Sequence, residues 1–493
     1  MGMLKPIKNA SRPIALALGI LSILVSYVAF GSNPELTKWS MAAVALTMAI
    51  WWIFEVAPLG ITALLPLVTF PLLGILSTKK VAPVYMSSTL FLFVGGFFVA
   101  LAMQRWNLHR RIALTIINFF GSSPSRVILG FMSATWFLSM WISNTATTVM
   151  MVSIGLAIIS NFNDISMKEE DKQAFATGLM LCIAYSATVG GMATLVGTPP
   201  NLAFSRLYTM SFPGAQEISF SQWLTYGLPS ALFIFFVIFF VLKLRFLKRS
   251  QISNLSPEFI KQELKNMGRL GHEEKMVAIV FAMMAFLWIF RKPLNLGVFT
   301  LPGWSQLLKH PDLVDDGTVA IFCTLILYLI PSKSKPGEML LQTEAIRKIP
   351  WETILLFGGG FALAKGMASS GLSQYLGNQF TSLANLPLLG TMTALAGGMS
   401  FLTELTSNMA STEMILPILA SMAKSLNVNP LLFMIPTTLA ASCAFMLPAA
   451  TAPNAIIFSS GKVTIKQMIK TGFWINILSF SFIGIWCYIV LKV

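Results

Sequence analysis

The tetrapeptide SNTA at 143–146, inside the stretch SMWISNTATT, returns 264 positions later as SNMA at 407–410. Each of these polar tetrapeptides lies between two apolar arms, in the segments 127–160 and 388–424. Two apolar arms around a polar tip are typical of a re-entrant hairpin, which enters a membrane and leaves it on the same side. The alternative is two complete spans joined by a short loop. We predict that both segments are hairpins.

Two further pairs of short segments match in the same order along the chain. FVGGF at 93–97 matches FGGGF at 357–361, again 264 positions apart. GTPPN at 197–201 matches ATAPN at 450–454 at an offset of 253, and the polar run 161–172 supplies the additional residues of the first half. Ordered matches of this kind indicate that the chain contains an internal duplication.

A fourth pair consists of two segments that carry apolar residues on one helical face. In the first of them, Arg110 and Arg111 lie off that face. We predict that both segments are amphipathic helices at the membrane interface. Their apolar residues, again 264 positions apart, are Leu108, Ile112, Ile116 and Phe119 in the first half and Leu372, Leu376, Phe380 and Leu383 in the second.

The composition indicates a membrane protein. Of 493 residues, 55% are hydrophobic and 11% are charged, whereas about 25% of the residues of a soluble protein are charged. This composition excludes a disordered chain, a fibrous repeat and a secreted disulfide scaffold. The four cysteines lie in apolar runs and are predicted to be small buried side chains: Cys182, Cys323, Cys443 and Cys487.

The sequence contains no pattern that points to catalysis or to a resident metal. No group of His, Cys and carboxylate residues has metal-ligand spacing, and there is neither a P-loop nor a Rossmann fingerprint. An intramembrane hydrolase would need a nucleophile–base pair, but all three histidines are peripheral. An anion channel would need a continuous polar pore, whereas Ser, Thr and Asn cluster at the paired tips. We predict that the protein is not an enzyme.

The distribution of charge indicates how the chain crosses the membrane. We predict an all-α polytopic protein with about eleven spans and two hairpins, its N-terminus in the cytoplasm and its C-terminus outside. The net charge of +15 comes largely from four segments that then lie inside: 105–111, 243–275, 333–348 and 462–470. We interpret 244–274 as a solvated loop or surface helix. The predicted spans are 13–31, 39–54, 58–76, 88–106, 174–193, 223–243, 276–290, 317–331, 352–368, 430–447 and 468–491.

The two halves have opposite orientations in this topology. The span 88–106 ends beside arginines that are inside, whereas its counterpart 352–368 begins after Arg347 and Lys348, which are also inside. An inverted repeat with broken elements at matching positions points to a binding site near the middle of the membrane.

Prolines and glycines near 197–200 and 448–453 break two of the spans, because proline lacks a backbone donor and keeps the preceding residue out of a helix. Such breaks free carbonyl oxygens, which suit Na⁺, and N–H groups, which suit carboxylates. The four polar stretches contain no Lys or Arg. A bound dianion would need co-bound cations, so we expect cation-coupled anion transport. The alternative is that these side chains only hold helices together.

Four stretches of the chain resemble the divalent anion–sodium symporter family, and in particular its INDY-type bacterial dicarboxylate carriers. They are SMWISNTATT (139–148), GGMATLVGTPPN (190–201), LTELTSN (402–408) and SCAFMLPAATAPNAI (442–456). The resemblance runs from about residue 40 to the end of the chain. It implies a homodimer with an elevator mechanism, in which a transport domain (123–245 and 386–493) moves against a scaffold (1–122 and 246–385).

The same resemblance implies which residues form the site. The first Na⁺ would bind Ser139, Ser143, Asn144 and Gly197, and the second Thr403, Thr406, Asn408 and Ala450. The substrate would contact Asn144, Thr145, Thr198, Pro199, Asn408 and Thr451, with Met409 beside them. Two positions depart from the family pattern, since Met409 replaces a threonine and Ala452 replaces a proline that is common there.

The function that the resemblance implies is secondary-active, Na⁺-coupled import of C4-dicarboxylates (succinate, malate, fumarate) across the inner membrane of a bacterium. The alternatives are a Na⁺-independent dicarboxylate exchanger and a citrate carrier on the same fold. Glu404, Glu413 and Lys365 are charged residues at membrane depth, where a charge is by default a functional candidate. The alternative for Lys365 is that it snorkels or pairs structurally.

Overall fold

Helices make up most of the described chain. The computed structural model describes residues 4–30, 35–121, 123–160, 169–247, 258–295, 299–379 and 387–492. The first half contains α1 (Leu4–Phe30), α2 (Leu36–Phe54), α3 (Leu59–Thr62), α4 (Leu65–Leu72), α5 (Thr78–Val81), a 3₁₀ turn (Ala82–Tyr85), α6 (Ser88–Arg105), α7 (Leu108–Phe120), α8 (Pro124–Ser139), α9 (Asn144–Ser160), α10 (Glu169–Ala193), α11 (Pro199–Ser211) and α12 (Phe220–Leu242).

The second half continues with α13 (Glu258–Asn266), α14 (His272–Ile289), α15 (Asp316–Leu329), α16 (Glu344–Arg347), α17 (Trp351–Ser369), α18 (Leu372–Gln379), α19 (Leu388–Leu405), α20 (Asn408–Leu426), α21 (Leu431–Ala440), α22 (Ala452–Ser459) and α23 (Ile465–Lys492). Between α14 and α15 lies a small antiparallel pair of strands, β1 (Leu294–Asn295) and β2 (Thr300–Leu301).

Both predicted hairpin segments consist of two helices that meet at the polar tip. Residues 140–143 separate α8 from α9, and residues 406–407 separate α19 from α20. The Ser143 hydroxyl accepts a hydrogen bond from the Ala146 N–H at 3.3 Å, which satisfies one of the free donors at the start of α9. The polar tip therefore ends one arm and starts the next.

The two predicted breaks are present as well. Residues 194–198 separate α10 from α11, and residues 441–451 separate α21 from α22. Thr198 is extended (φ −145°, ψ 142°), as expected for a residue before proline. Thr451 is also extended, and its hydroxyl accepts a hydrogen bond from the Asn454 N–H at 3.3 Å. Each break creates a new helix N-terminus.

Six helices of the described residues are long and apolar enough to cross a bilayer: Leu36–Phe54, Thr78–Arg105, Glu169–Ala193, Phe220–Leu247, Leu388–Leu405 and Ile465–Leu491. One of them, α19, is the first arm of the second hairpin. The segment 58–76 does not form the single span that we expect. It is divided into α3 and α4, because Pro66 begins a new helix and Pro71 removes a further backbone donor.

The predicted amphipathic helices are α7 and α18, and Leu108 and Leu372 at their starts are buried as expected. Phe119, on the same predicted apolar face, is 86% exposed. It lies in the last turn of α7, where that face is no longer covered. Phe380 and Leu383 lie outside the described residues.

Three of the basic segments meet at one end of the molecule. Arg105 pairs with Glu338, and the Arg111 guanidinium donates to both carboxylate oxygens of Glu274 at 2.7 and 3.0 Å. Part of the mixed-charge segment 244–274 forms α13, as expected for a surface helix. The contacts place 105–111, 258–275 and 333–348 side by side.

Helices α6 and α17 approach their neighbours through matching glycines. Gly95 faces Ala320 of α15, and Gly359, 264 positions later, faces Ala63 after α3. In both places an added Cβ would lie 2.5 Å from the alanine Cβ, closer than real Cβ atoms approach. The FVGGF and FGGGF matches therefore mark close contacts between helices.

We expect Gly95→Ala and Gly359→Ala to lower the melting temperature of the detergent-solubilised protein, because overpacking a close contact costs about 1–3 kcal/mol. Thermal unfolding followed by intrinsic fluorescence measures this. Gly398→Ala in α19 is the matched control, since nothing lies within 4 Å of a Cβ there. Equal melting temperatures for all three variants would show that these contacts are loose.

Candidate functional site

The two tips and the two breaks meet at a single cavity of about 750 Å³. Its opposite wall comes from α2, α6 and α17, with the aromatic side chains of Trp52, Phe93 and Phe97. The fold thus brings together residues from four separate parts of the chain. Of the predicted site residues, those that line the cavity are Ser143, Asn144, Thr145, Gly197, Thr198, Pro199, Thr406, Asn408, Met409, Ala450 and Thr451.

Ser139 lies behind the first tip, fully buried, in a cluster of oxygen atoms. Its hydroxyl oxygen is 2.5 Å from Oδ1 of Asn144 and 2.6 Å from the carbonyl oxygen of Ala187. A serine has one hydrogen to donate, so it serves only one of these two acceptors. This excess of neutral oxygen atoms suits a hard cation such as Na⁺.

The second tip repeats this cluster. Thr403, 264 positions after Ser139, is fully buried, and its hydroxyl donates to Oδ1 of Asn408. The carbonyl oxygen of Ala441 lies 3.2 Å from the same hydroxyl. The site therefore offers two equivalent places where a cation would meet hydroxyl, amide and backbone oxygens.

Neutral oxygens are the metal-binding groups that the site offers. Over the described ranges there is no group of three or more His, Cys, Asp or Glu residues that could hold a metal ion. The four cysteines are buried and free, as predicted.

Two asparagines that were not among the predicted site residues, Asn201 and Asn454, bind backbone carbonyl oxygens at the two breaks. The Asn201 side-chain amide donates to the carbonyl oxygens of Thr194 at 2.7 Å and of Gly191 at 3.3 Å. Asn454, at the matching position, donates to the carbonyl oxygens of Leu447 and Ala444, both at 3.0 Å. The matched motifs GTPPN and ATAPN end on these asparagines, which is the signal that could have identified them.

Thr194 ties the first tip to the first break. Its hydroxyl donates to the carbonyl oxygen of Met140 at 2.5 Å and accepts from the Gly197 N–H at 3.1 Å. Gly191 makes room for this arrangement, because a Cβ there would lie 2.5 Å from Oδ1 of Asn144. The first tip is therefore held by neutral groups.

Glu404 ties the second tip to the second break. It stands 264 positions after Met140 and is buried. Its carboxylate accepts hydrogen bonds from the N–H groups of Met446 at 2.9 Å and Leu447 at 3.0 Å, and from the Asn476 amide at 2.8 Å. Through these three hydrogen bonds, Glu404 connects α19 with the second break and with α23.

Thr406 and Lys365 make contacts that differ from those of the oxygen clusters. The Thr406 hydroxyl donates to the carbonyl oxygen of Leu402 at 3.0 Å and contacts the Ser411 hydroxyl.

The Lys365 ammonium donates to the carbonyl oxygen of Lys80 at 2.9 Å in an exposed position. Lys365 thus has a structural contact away from the cavity.

The two tips differ at their third residue. Thr145 is exposed at the cavity, whereas Met409 at the matching position is 5% exposed and packs against the core. A thioether donates no hydrogen bond. The second tip is therefore more apolar than the first.

Four helices begin at the cavity, which gives it a positive electrostatic character. A helix N-terminus carries about half a positive charge and attracts anions. The first residues of α9, α11, α20 and α22 all line the wall: Asn144, Pro199, Asn408 and Ala452.

The side chains of the wall add no positive charge to these helix ends. Among the described residues, the wall contains no Lys, Arg or His, but it contains the carboxylates of Glu55, Glu352 and Glu404. An anion in the cavity therefore meets helix N-termini and neutral donors in a wall whose ionisable side chains are acidic.

Paired helix tips and paired broken helices around a polar cavity define a secondary transporter, and the comparisons with known proteins give its family. The chain belongs to the sodium:sulfate symporter family, whose transmembrane region matches residues 13–492. This confirms the resemblance found in the sequence. The protein is a multi-pass membrane transport protein and not an enzyme.

Two relatives carry the name sodium-dependent dicarboxylate transporter SdcS. The protein of Staphylococcus saprophyticus is 40% identical over 477 residues, which is 96% of this chain and 90% of that one. The protein of Staphylococcus aureus is 40% identical over 499 residues, 98% of this chain and 92% of that one. The similarity thus extends over nearly the whole length of both proteins.

Solved structures of two transporters share the fold. The Alcanivorax borkumensis YdaH transporter has a TM-score of 0.54 and 12% identity, and the match covers 82% of this chain and 85% of that one. Neisseria gonorrhoeae MtrF, described with a class of antimetabolite efflux pumps, has a TM-score of 0.56 and 14% identity, covering 86% and 84%. At these identities the likeness concerns the fold alone.

We expect Asn201→Ala and Asn454→Ala to destabilise the protein, because each leaves buried carbonyl groups without donors at about 1–3 kcal/mol per group. The measurement is the melting temperature in detergent, with expression level alongside. Asn266→Ala is the control, since its side chain accepts a single exposed hydrogen bond from Gln262. If the three variants melt alike, the asparagines do not hold the breaks.

Proposed function

We propose that the protein is a Na⁺-coupled symporter that imports dianionic C4-dicarboxylates, such as succinate, malate and fumarate. The names of the family and of the staphylococcal relatives, which all specify sodium, support this proposal. The observation that carries it is the cavity itself, where four helix N-termini and two clusters of neutral oxygens meet in a wall whose described residues include no basic side chain.

Charge balance explains why the anion requires cations. Helix N-termini attract a carboxylate, but the acidic side chains of the wall oppose a second negative charge. An uncompensated charge in a buried site is strongly unfavourable. Na⁺ at each oxygen cluster supplies the missing positive charge beside the anion, so cations and anion bind together. Joint binding is the thermodynamic basis of symport.

In the proposed site, the first Na⁺ binds Ser139, Ser143, Asn144 and Gly197. The Ala187 carbonyl oxygen is an additional ligand that the sequence did not indicate. The second uses Thr403, Thr406, Asn408 and Ala450, with the Ala441 carbonyl oxygen. The dicarboxylate lies between the tips and contacts Asn144, Thr145, Thr198, Pro199, Asn408, Met409 and Thr451.

We propose that access alternates when a transport domain (123–245 and 386–493) moves against a scaffold (1–122 and 246–385). The cavity supports this division, because one of its walls belongs to each part. Pro350 and Glu352 line it close to the basic residues Arg347 and Lys348. With the basic segments inside, the cavity opens towards the cytoplasm. The proposal includes a homodimer in the inner membrane of a bacterium, with the N-terminus inside and the C-terminus outside.

Replacing Na⁺ by choline or K⁺ should abolish concentrative uptake of radiolabelled succinate into proteoliposomes, because the site has no other counter-charge. The comparison is made at constant ionic strength, with malate, fumarate, citrate and sulfate as competitors. Protein-free liposomes are the control. Undiminished uptake in choline would instead support the Na⁺-independent exchanger, and stronger competition by citrate than by malate would support a citrate carrier.

Met409→Thr should lower the KM for succinate several-fold, because a hydroxyl adds a donor at the second tip and a hydrogen bond to a charged group contributes about 1.5–3 kcal/mol before desolvation. Initial rates of Na⁺-driven uptake give the KM.

Thr145→Met is the matched converse at the first tip and should raise the KM. If Met409→Thr leaves the succinate KM unchanged or higher while Thr145→Met raises it, the side chain at 409 points away from the substrate.

A further inference from the structure

Glu413 is a buried carboxyl group that the proposed transport site does not use. It lies in α20, five residues after Asn408, and its side chain is completely buried. Neither of its carboxylate oxygens has a hydrogen-bond partner. Gly360 of α17 faces it, and a Cβ at Gly360 would overlap the carboxyl group. The carboxyl group is therefore pressed against the backbone of α17.

The repeat shows that the transport site does not require this carboxyl group. The position 264 residues earlier is Val149, which is 50% exposed. The first half therefore has an apolar residue at the position of Glu413, although both tips contain the same Asn-containing cluster. Glu413 is an addition to the second half alone.

Glu404 shows how this protein satisfies a buried carboxyl group with hydrogen-bond donors. That group receives three hydrogen bonds, two of them from backbone N–H groups. Glu413 receives none. The two buried glutamates of the second hairpin therefore have opposite environments.

Charged and titratable groups on the helices packed against α20 leave Glu413 without a counter-charge. Among the described residues no Lys, Arg or His forms an ion pair with it, and its side chain is completely buried. Lys424, on α20 itself, lies over the Phe212 ring, while Lys38 pairs with Glu35 and Lys365 donates to the carbonyl oxygen of Lys80. Arg206 on α11 forms no ion pair with Glu413 among the described residues. The other titratable groups on the packed elements are acidic or phenolic and supply no positive charge: Glu55, Glu352, Glu404, Tyr208 and Tyr375.

Tyr85 is a titratable group on the scaffold side that packs against α17 near Glu413. Its ring packs on Gly358, two residues before Gly360. Its hydroxyl donates to the carbonyl oxygen of Ala63 at 2.6 Å, so its hydrogen is not available to Glu413. Tyr85 therefore does not stabilise an ionised carboxylate here.

An ionised carboxylate without donor or counter-charge is strongly disfavoured in an apolar interior, and such a group becomes neutral by taking up a proton. A metal cation in place of the proton would need several further oxygen ligands and space for them. The completely buried contact with Gly360 provides no such space. A proton needs neither further oxygen ligands nor additional space.

We propose that Glu413 is a proton-binding site: its carboxyl group is protonated while α20 packs on Gly360, and it releases that proton to water when α20 moves away from α17. The O–H bond breaks, the electron pair stays on the carboxylate, and a water molecule accepts the proton. This proposal rests on the domain movement proposed above. Rising pH then favours the separated conformation, by up to about tenfold per pH unit while only that conformation is ionised.

Infrared difference spectroscopy tests the proton directly on the purified, full-length protein without substrate. Wild type minus Glu413→Gln should show the C=O band of a protonated carboxylic acid at pH 7. Wild type minus Glu404→Gln is the matched control and should show carboxylate bands instead. If Glu413→Gln does not fold, Glu413→Leu supplies the reference spectrum. Carboxylate bands in the Glu413 difference would overturn the proposal.

Uptake measurements test the consequence for movement. Between about pH 6.5 and 8.5, Na⁺-driven succinate uptake by the wild type should change several-fold, whereas Glu413→Gln should be nearly independent of pH. A variant with the full wild-type pH dependence would overturn the link to movement. If wild type transports no dicarboxylate at any pH, the proposed function fails, while the infrared spectra still decide whether Glu413 carries a proton.

Discussion

A helix that breaks inside a membrane leaves backbone groups that water cannot satisfy, and the rest of this structure depends on how that difficulty is removed. Asn201 and Asn454 each use one side-chain amide to bind two carbonyl oxygens across a break. Each asparagine lies in the first turn of the half-helix that follows its break. The breaks are therefore rigid, and helix N-termini can point into the cavity without exposing unpaired backbone.

Rigid breaks allow the site to work with neutral groups. A fixed Lys or Arg would bind a dianion whether or not Na⁺ was present, and coupling would be lost. In this cavity the counter-charge has to arrive with the substrate, because the described residues of its wall include no Lys, Arg or His. The absence of basic residues in the polar stretches is thus a requirement of a coupled site, and the amino-acid sequence alone displays it.

The repeat made most of the architecture predictable. Segments with a common offset of 264 identified both tips, the close glycine contacts and the amphipathic helices, and the prolines located both breaks. The carbonyl oxygens of Ala187 and Ala441 could not be predicted, because a backbone carbonyl has no side-chain signature. Helical spacing placed Phe119 on the apolar face of α7, but spacing does not show which residues of a face are covered by neighbouring helices, and Phe119 is exposed.

The division of 58–76 shows a different limit. The prediction of a single span rested on the apolar composition of this segment. It did not take into account that Pro66 and Pro71 interrupt a continuous helix. The thirteen residues predicted for the site came from motifs rather than from composition, and the structure places them close together. Eleven line the cavity, and Ser139 and Thr403 lie directly behind the two asparagines.

Duplication gave the two halves the same geometry, so differences between them reveal what each half adds. At three matched positions the first half has Met140, Thr145 and Val149, where the second has Glu404, Met409 and Glu413. The first tip thus keeps its polar side chain at the cavity and is tied by a neutral threonine, Thr194. The second has the apolar Met409 at that position and carries two buried carboxyl groups in addition. One of these, Glu404, has three donors and fixes the tip, whereas the other has none and faces the neighbouring α17. Because a carboxyl group without donors is stable only when neutral, the second half is the half whose packing responds to protons, while the shared Asn clusters leave cation binding common to both.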